Sequence, residues 1–544
     1  MTIRNPILHG FNPDPSIVRV DDDYYVATST FEWYPGVQIH HSRDLANWQV
    51  VARPLSRASQ LDMRGNPDSC GVWAPDLSYA HDRFHLLFTD VKRYGHTTVD
   101  GASGASLRDF HNYLVTAEHI DGPWSDPVHL NSSGFDPALF HDDDGRSWLV
   151  NMLWDHRPDR RRFAGIVIQQ IDLDTGRMIG KRRSIFEGTA LGFTEGPHLY
   201  KRDGWYHLLV AEGGTERSHA VVMARSRDLF GPYEVHPDGP VLTALGTERT
   251  TSQGLTLQRT GHGDLVETPA GETYMVYLCG RPLPHSDRCV LGRETAIQPM
   301  RWDEDGWLRT ADGQGRPQLT VATLGDANGE HAPVIEHTDF DGEILPIPFQ
   351  WLRTPYPDQL FSLAARPGHL RLHGRETIGS HFVQSLVARR QQAFRYHAET
   401  RTDFTAHHFQ QAAGLVCYYN STKFHYLHVT AGDDGQRQIQ VLSAIPRETH
   451  RSNLTPAVSI GSGPITLRVE VDHETLRFGY RLANAGEWHW LPNMFDASIL
   501  SDEATLPGMP NFTGAFVGMA CQDLSGAGHP ADFAYFLYEE QGDH

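Results

Sequence analysis

Asn12-Pro13-Asp14-Pro15, Trp73-Ala74-Pro75-Asp76, Gly134-Phe135-Asp136-Pro137 and Thr194-Glu195-Gly196-Pro197 are four short segments in which an acidic residue adjoins a proline or a Gly-Pro pair. The acids follow one another at intervals of 62, 60 and 59 residues. A fifth acid, Asp264 in Gly261-His262-Gly263-Asp264, comes 69 residues after Glu195. A nearly even interval of about 60 residues indicates a structural repeat.

Each acid is followed, 8 to 12 residues later, by a short aromatic or aliphatic segment. These segments are Tyr24-Tyr25-Val26, Phe84-His85-Leu86-Leu87-Phe88, Trp148-Leu149-Val150, Trp205-Tyr206-His207-Leu208-Leu209 and Tyr274-Met275-Val276-Tyr277. Turn formers such as Arg202-Asp203-Gly204 lie in between, so each repeat begins as a β-hairpin. Repeats of about four short strands are typical of the blades of a β-propeller. We predict five blades over residues 1–320, with the repeated acids converging on the central channel.

A second domain is predicted after the propeller. Residues 321–337 are low in aromatic residues, contain Gly325-Asp326-Ala327-Asn328-Gly329 and are interpreted as a linker. Residues 338–544 hold apolar or alternating segments between Gly, Asp and Asn turns, such as Phe424-His425-Tyr426-Leu427-His428-Val429 and Ile465-Thr466-Leu467-Arg468-Val469. This pattern favours a β-sandwich. The predicted fold class is therefore all-β, a five-bladed propeller followed by a C-terminal sandwich of the jelly-roll, concanavalin-like kind.

Composition excludes several functional classes. The 544 residues carry 47 basic and 67 acidic side chains, and a net charge of −20 repels nucleic acids. Mean hydropathy is −0.44, and no apolar run approaches the roughly 20 residues that span a membrane. The N-terminal residues leave no room for an apolar signal core, and the five cysteines form no Cys-x-x-Cys pair. We expect a cytoplasmic protein with free thiols and neither a nucleic-acid nor a membrane partner.

Three acids around a narrow pocket, with aromatic neighbours, suit the hydrolysis of a glycosidic bond. That reaction needs a carboxylic acid that protonates the leaving oxygen and a carboxylate that activates water or attacks the sugar. Asp14, held between two prolines, is the candidate base or nucleophile. Glu195, beside the apolar Phe193, is the candidate proton donor. Asp136 is expected to tune or orient Glu195.

Other residues have a structural interpretation beside the functional one. Asp76 occupies the same register but is expected to cap a turn or support the pocket wall, as is Asp264. Phe31 and Trp73 could stack on a sugar ring or pack in the core. His262 could bind a structural or activating Ca²⁺ in the channel or hydrogen-bond the pocket. Arg288 and Arg293 could bind sugar hydroxyls or form structural ion pairs.

In combination, these motifs resemble the glycoside hydrolases of family 43, specifically their two-domain β-xylosidases, over nearly the whole chain. Asn12-Pro13-Asp14-Pro15-Ser16 is similar to the family's general-base motif. Gly134-Phe135-Asp136-Pro137 is similar to the motif of its pKa-modulating aspartate, and Thr194-Glu195-Gly196-Pro197-His198 to that of its general acid.

The resemblance implies an inverting, exo-acting enzyme that releases xylose from the non-reducing ends of β-1,4-xylooligosaccharides, with side activity on α-L-arabinofuranosides. It implies a homo-oligomer, a dimer or tetramer, and no cofactor for the chemistry. It also implies that the sandwich closes the pocket through Phe512. The implied substrate-binding residues are Phe31, Trp73, Trp154, Thr215, His262, Phe512 and an arginine, Arg293 in preference to Arg288.

Two alternatives stay open at this point. A retaining, invertase-like fructosidase also has five blades and an N-terminal aspartate, but it carries Arg-Asp-Pro and Glu-Cys motifs where this chain has Phe135-Asp136-Pro137 and Glu195-Gly196. A non-catalytic sugar-binding propeller would use the aromatic residues, yet it has no need of three acids in register.

Overall fold

The structure is a computed structural model that describes residues 2–95, 107–157, 159–248, 250–251, 254–322, 332–446, 452–483, 486–505 and 511–542. Two short 3-10 helices, Pro357–Gln359 and Ala497–Ile499, interrupt an otherwise all-β chain in these ranges. Among the residues described, no helix has the length and apolar character needed to cross a lipid bilayer. All five cysteines lie in these ranges, and each is buried and free of a disulfide.

Five antiparallel sheets form the N-terminal region, and each is built from consecutive strands, as the hairpin pattern predicts. The first contains β2 (Ser16–Val20), β3 (Asp23–Thr28), β5 (Gln38–Ser42) and β6 (Gln49–Ala52), with β1 (Thr2–Arg4) before it and β4 (Trp33–Tyr34) looping out of it. The second contains β7 (Gly71–Ala80), β8 (Arg83–Arg93), β9 (Asp109–Ala117) and β10 (Val128–Asn131). The third contains β11 (Ala138–His141), β12 (Ser147–Trp154), β13 (Phe163–Asp172) and β14 (Arg177–Phe186).

The fourth sheet contains β15 (Glu195–Arg202), β16 (Trp205–Glu212), β17 (Ala220–Ser226), β18 (Glu234–Val235) and β19 (Leu242–Thr243). A small hairpin, β20 (Thr250–Thr251) and β21 (Gly254–Leu255), precedes the fifth sheet of β22 (Gln258–Glu267), β23 (Thr273–Gly280), β24 (Glu294–Trp302) and β25 (Leu308–Thr310). β26 (Thr320–Ala322) then pairs with β1, which ties the end of the ring to its beginning. The five-bladed propeller is confirmed.

The repeated acids fasten neighbouring blades to one another. Asp76 accepts a hydrogen bond from the backbone N–H of Leu139 at 2.9 Å. Asp264 accepts one from the N–H of Ile17 at 2.7 Å, and so joins the fifth blade to the first. Each bond links an acid of one innermost strand to the innermost strand of an adjacent blade, so the repeat builds the central channel as well as lining it.

The C-terminal region consists of two packed sheets. Its strands are β27 (Ile335–Thr338), β28 (Gln350–Leu352), β29 (Phe361–Ser362), β30 (Leu370–Leu372), β31 (Ser385–Arg390), β32 (Arg395–Asp403), β33 (Gln411–Asn420), β34 (Lys423–Ala431), β35 (Arg437–Ala444), β36 (Ser452–Leu454), β37 (Val458–Ser459), β38 (Ile465–Asp472), β39 (Thr475–Leu482), β40 (His489–Asp496), β41 (Phe516–Asp523) and β42 (Ala531–Glu540). An eight-stranded sheet contains β27, β29, β30, β32, β38, β39, β40 and β42, and the remaining strands form the second sheet.

The predicted linker falls largely on residues 323–331, which lie outside the described residues, as does its Gly325–Gly329 segment. Strands β26 and β27 flank that stretch, the first paired with β1 and the second with β42.

The two domains share one sheet. β4, a two-residue strand from the first blade, pairs with β28 and becomes the ninth strand of the second sandwich sheet. The Trp33 ring of β4 stacks on Phe516 of β41 at a centroid distance of 3.6 Å. Nearby, the fully buried Arg353 forms an ion pair with Asp68 of the propeller at 2.7 Å. Backbone pairing, ring stacking and a buried charge pair therefore join the sandwich to the propeller beside the central channel.

Candidate active site

Asp14, Asp136 and Glu195 meet in one cavity of about 410 Å³ at the end of the central channel. Asp14 precedes β2, Asp136 precedes β11 and Glu195 opens β15, so equivalent places in three blades bring together residues far apart in sequence. All three are buried, with at most 8% of each residue exposed. The volume lies at the small end of the roughly 300–1,000 Å³ typical of ligand pockets.

Asp14 is held by two side chains. Ser29 Oγ donates a hydrogen bond to Asp14 Oδ2 at 2.7 Å, and Arg293 Nη1 lies 3.3 Å from Asp14 Oδ1. Ser29 Oγ in turn accepts the N–H of Ala74 at 2.7 Å, which fixes the hydroxyl's orientation. The Ser29 hydroxyl and the Arg293 guanidinium therefore fix the orientation of the Asp14 carboxyl in the cavity.

Glu195 and Asp136 have the opposite electrostatic environment. Burial raises the pKa of Glu195 well above its usual value, and the charges of Asp136 and Asp14 raise it further, against the opposing effect of Arg293. Burial and Asp14 raise the pKa of Asp136 to about 8, although the N–H of Gly196 donates a hydrogen bond to its Oδ2 at 2.9 Å. Close buried carboxyls oppose each other's ionisation, so the environment favours a proton on the Asp136 and Glu195 pair.

Aromatic rings form the wall around the acids. Phe512, from the sandwich, lies 5.4 Å from Trp73, 5.8 Å from Tyr94 and 6.1 Å from Phe31 by ring centroids. Arg293 Nη2 donates a hydrogen bond to the Phe512 carbonyl at 2.8 Å. One arginine therefore contacts both Asp14 and the residue that the sandwich contributes to the pocket.

Several pocket residues have a left-handed backbone, which side chains other than glycine rarely adopt. The φ angles are 54° for Asp14, 53° for Asp136, 51° for Phe31, 54° for Phe193 and 48° for His262. Such conformations cost free energy and persist where the surroundings hold them. Here they aim polar and aromatic side chains from strand ends into one cavity.

His262 lies against the pocket floor. Its Nδ1 is 3.8 Å from Asp14 Oδ1, and a Cβ atom added to Gly196 would lie 3.2 Å from its ring. Burial lowers the pKa of His262 to about 4, so the ring is neutral at pH 7 and can donate or accept one hydrogen bond. In the part of the chain that the structure describes, no group of three or more His, Cys, Asp or Glu side chains is arranged to hold a metal ion. Ca²⁺ takes six to eight oxygen ligands, waters among them, so a calcium ion beside His262 stays a prediction.

Most of the substrate-binding residues expected from the sequence line the cavity, and two do not. Phe31, Trp73, Thr215, His262, Arg293 and Phe512 are in its wall. Trp154 is not in the wall; its ring packs behind it, 5.5 Å from Phe163 and 6.4 Å from Phe135. Arg288 also lies outside the wall, because its Nη1 bonds Ser498 Oγ at 2.6 Å and pairs with Asp496. Of the two arginines considered, the structure places Arg293 in the pocket.

Other wall residues were not expected from the sequence. They are Tyr94, Phe135, Phe163, Gly213, Gly214, Glu216, Ser218 and His219, together with Phe193, which was noted only as an apolar neighbour of Glu195. Residues 213–219 form the connection between β16 and β17 and occupy no repeated position in the sequence. The sequence repeat therefore does not predict that these residues line the cavity. Phe135 could have been predicted, because it lies next to Asp136 in the Gly-Phe-Asp-Pro motif.

Asp76 and Asp264 lie outside the cavity wall. His198 Nδ1 is 3.6 Å from Asp76 Oδ1 and 3.7 Å from Asp264 Oδ1, and Tyr200 donates a hydrogen bond to Asp264 Oδ1 at 2.5 Å. With the blade contacts described above, these bonds give both acids structural partners. Their geometry agrees with the supporting roles expected for them.

Comparison with known proteins gives matches along nearly the whole chain. Residues 3–308 match the model of glycosyl hydrolases family 43, and residues 337–539 match that of the β-xylosidase C-terminal concanavalin A-like domain. The chain is 52% identical to xylosidase/arabinosidase 43B of Humicola insolens, over 98% of this chain and 97% of the relative. It is 47% identical to a β-xylosidase of Bacillus subtilis, over 99% and 100% of the two chains.

A solved structure agrees with these matches. The crystal structure of a xylan β-1,4-xylosidase from Bacillus halodurans superimposes with a TM-score of 0.92 at 49% identity, covering 99% of this chain and 100% of the other. The whole architecture is thus that of these hydrolases, including the concanavalin-like second domain. The family match also sets aside the retaining fructosidase and the non-catalytic propeller. The chain belongs to the glycoside hydrolases of family 43.

Proposed function

We propose that this hydrolase releases single xylose units from the non-reducing ends of β-1,4-xylooligosaccharides, with side activity on α-L-arabinofuranosides. The observation that carries the proposal is the small aromatic cavity, which holds three acids and is bordered by Phe512 from the second domain. A pocket that receives one sugar ring admits chain ends. The relatives named xylosidase/arabinosidase and xylan β-1,4-xylosidase support the same substrate class.

We propose Asp14 as the general base and Glu195 as the general acid. Family 43 enzymes invert the anomeric configuration, so a water molecule attacks the anomeric carbon while the leaving oxygen is protonated from the other side. Asp14, paired with Arg293, would take a proton from that water. Glu195, whose pKa is raised by burial and by Asp136, would deliver its proton to the departing sugar. Asp136 would act through Glu195, as a modulator that also fixes the Gly196 turn.

Freshly released sugar distinguishes the stereochemical outcomes. The protein is incubated with an aryl β-xyloside in an NMR tube, and the anomeric proton of the released xylose is followed before mutarotation. Inversion gives the α-anomer of xylose first. Initial β-anomer would overturn the assignment of Asp14 as a base that activates water.

Linkage and sugar preference are tested with a matched panel. A Vibrio relative, 42% identical over 99% of this chain, is named xylan 1,3-β-xylosidase, so β-1,4- and β-1,3-linked xylobiose are compared. Aryl β-xyloside and aryl α-L-arabinofuranoside complete the panel, each with and without chelator. We expect β-1,4-xylobiose to have the higher kcat/KM of the two disaccharides; preference for the 1,3-linkage would reassign the substrate. Activity lost with chelator and restored by Ca²⁺ would support a channel calcium ion, which stays a prediction.

We also propose the domain limits 1–320 and 338–544, a homo-oligomeric state and a cytoplasmic location. The two family matches, which end at 308 and begin at 337, support the first. Five buried thiols without a disulfide support a reducing compartment. Light scattering on the purified chain measures the mass, and a monomer at micromolar concentration would contradict the proposed dimer or tetramer.

A further inference from the structure

A second cavity, of about 450 Å³, lies between the first blade and the sandwich. Three arginines line it, Arg53 from the propeller and Arg389 and Arg390 from β31 of the sandwich, and we call it the arginine cavity. Glu336 is the single acidic residue in its described wall, and the other titratable groups there are His9 and His40. Ile7, Leu8, Trp48, Ile347 and Pro348 provide an apolar side.

The positive charge in the arginine cavity exceeds the negative charge. Glu336 pairs with Arg389 at 2.6 Å. In the described ranges, neither Arg53 nor Arg390 has an ion-pair partner; both donate instead to the neutral Gln38 Oε1, at 2.8 and 3.2 Å. Two guanidinium groups thus converge on one amide oxygen. An amide cannot neutralise them, and uncompensated buried charge is costly.

Arg390 lines this space and keeps one buried donor without an acceptor among the described residues. It is 6% exposed; its Nε donates to the Phe11 carbonyl at 2.6 Å and its Nη1 to Gln350 Oε1 at 2.6 Å. Among the described residues, Nη2 of Arg390 and Nε of Arg389 have no acceptor. A buried N–H without an acceptor is costly, and more so in a charged group.

The excess positive charge and the burial in the arginine cavity are reflected in the pKa values of His40 and Arg53. Burial, Arg390 and Arg53 together lower the pKa of His40 to about 3, which keeps that ring neutral. Burial lowers the pKa of Arg53 to about 9, and no acidic side chain of the described residues opposes the shift. Since a guanidinium keeps its proton in proteins, the arrangement is relieved by an anion rather than by deprotonation.

We propose that the arginine cavity is a binding site for a small oxyanion, a carboxylate or phosphate group carried on a small carbon body. Forked guanidinium groups match the paired oxygens of such groups. Arg53 and Arg390 bind the anionic oxygens, and the apolar side accommodates the carbon body. The site is separate from the acids of the active site and does not depend on the proposed glycosidase activity.

Isothermal titration of the full-length protein tests the site with three probes, inorganic phosphate, sulfate and malonate, at an ionic strength held constant with sodium chloride. We expect saturable binding of at least one probe; a response to phosphate or to malonate identifies the preferred head group. Arg53→Gln, at a half-buried position, should weaken binding at least tenfold. Arg390→Lys keeps the charge and loses the fork, and should weaken it as well. Arg43→Gln, an exposed arginine paired with Asp23 in the same blade, is the matched control and should bind as the unaltered protein does.

Near-ultraviolet circular dichroism checks that each variant is folded, and crystals soaked in selenate should show an anomalous peak in the arginine cavity, beside Arg53 and Arg390. No saturable binding of any probe, or equal loss in Arg53→Gln and Arg43→Gln, overturns the proposal. The double variant Asp326→Asn, Glu330→Gln removes two carboxylates of this chain and checks whether one of them occupies the cavity. If only that double variant binds the probes, a carboxylate of this chain fills the cavity and the proposed external ligand is refuted.

Discussion

Glu195→Gln removes the proposed proton donor with little change in shape or charge. Burial and two neighbouring carboxyls raise the pKa of Glu195, which favours its protonated form, and an amide resembles that form. Substrate binding is expected to stay close to that of the unaltered protein. A general acid contributes about 10²–10⁴-fold to the rate, which is about 2.7–5.4 kcal/mol of transition-state stabilisation. We therefore expect kcat on xylobiose to fall by that factor, with KM nearly unchanged.

The leaving group makes this prediction specific. Xylobiose releases a sugar alkoxide, which needs a proton, whereas a 2,4-dinitrophenyl β-xyloside releases a stable phenolate. The loss in kcat should be largest for xylobiose and smallest for the dinitrophenyl substrate. Glu187→Gln, at an exposed carboxyl outside the cavity wall, is the control and should retain full activity. An equal loss on both substrates, or a loss below tenfold on xylobiose, would refute the role of Glu195 as acid.

The remaining predictions concern the pH profile, the shared pocket wall and the domain interface. Asp136→Asn removes a charge that raises the pKa of Glu195, so the alkaline limb of kcat/KM should move to lower pH; an unmoved limb would contradict the coupling. Phe512→Ala removes three ring contacts worth about 0.5–1.5 kcal/mol each, so kcat/KM on aryl xyloside should fall at least about tenfold. Phe382→Ala, at an exposed phenylalanine, is the control and should change kcat/KM little. Arg353→Met leaves the buried Asp68 without its arginine partner, with only His381 at 3.6 Å as an ion partner among the described residues, and should lower the free energy of unfolding in urea by about 3–5 kcal/mol. The exposed pair at Arg477 contributes at most about 1 kcal/mol, so Arg477→Gln should have a small effect, and equal effects of the two substitutions would count against the interface.

The repeated acids made the propeller predictable because they recur in, or just before, the innermost strand of each blade. The same positions identified Asp14, Asp136 and Glu195 as neighbours, although they are up to 181 residues apart in sequence. Family resemblance added Phe512, whose place in the wall no repeat could indicate because it comes from the other domain.

The rest of the site could not be predicted because the sequence does not show in which direction a side chain points. Arg288 and Arg293 are five residues apart, and the sequence cannot tell which one reaches Asp14; the structure turns Arg288 toward Ser498. Trp154 lies at the end of β12, where a small change in direction puts its ring behind Phe135 instead of beside the substrate. Tyr94 and His219 enter the wall through loop geometry that depends on tertiary packing.

The pairing of propeller strand β4 with sandwich strand β28 has a consequence for protein engineering. β4 carries Trp33, two positions after Phe31 of the pocket, and its backbone pairs with β28. Expressing residues 1–320 alone would leave β4 without its partner strand. Expressing the C-terminal half alone would expose the edge of β28, and exposed strand edges promote aggregation. Chimaeras that exchange whole second domains between relatives must therefore match this pairing and the Trp33 stack, or the recipient will lose its pocket wall along with its solubility.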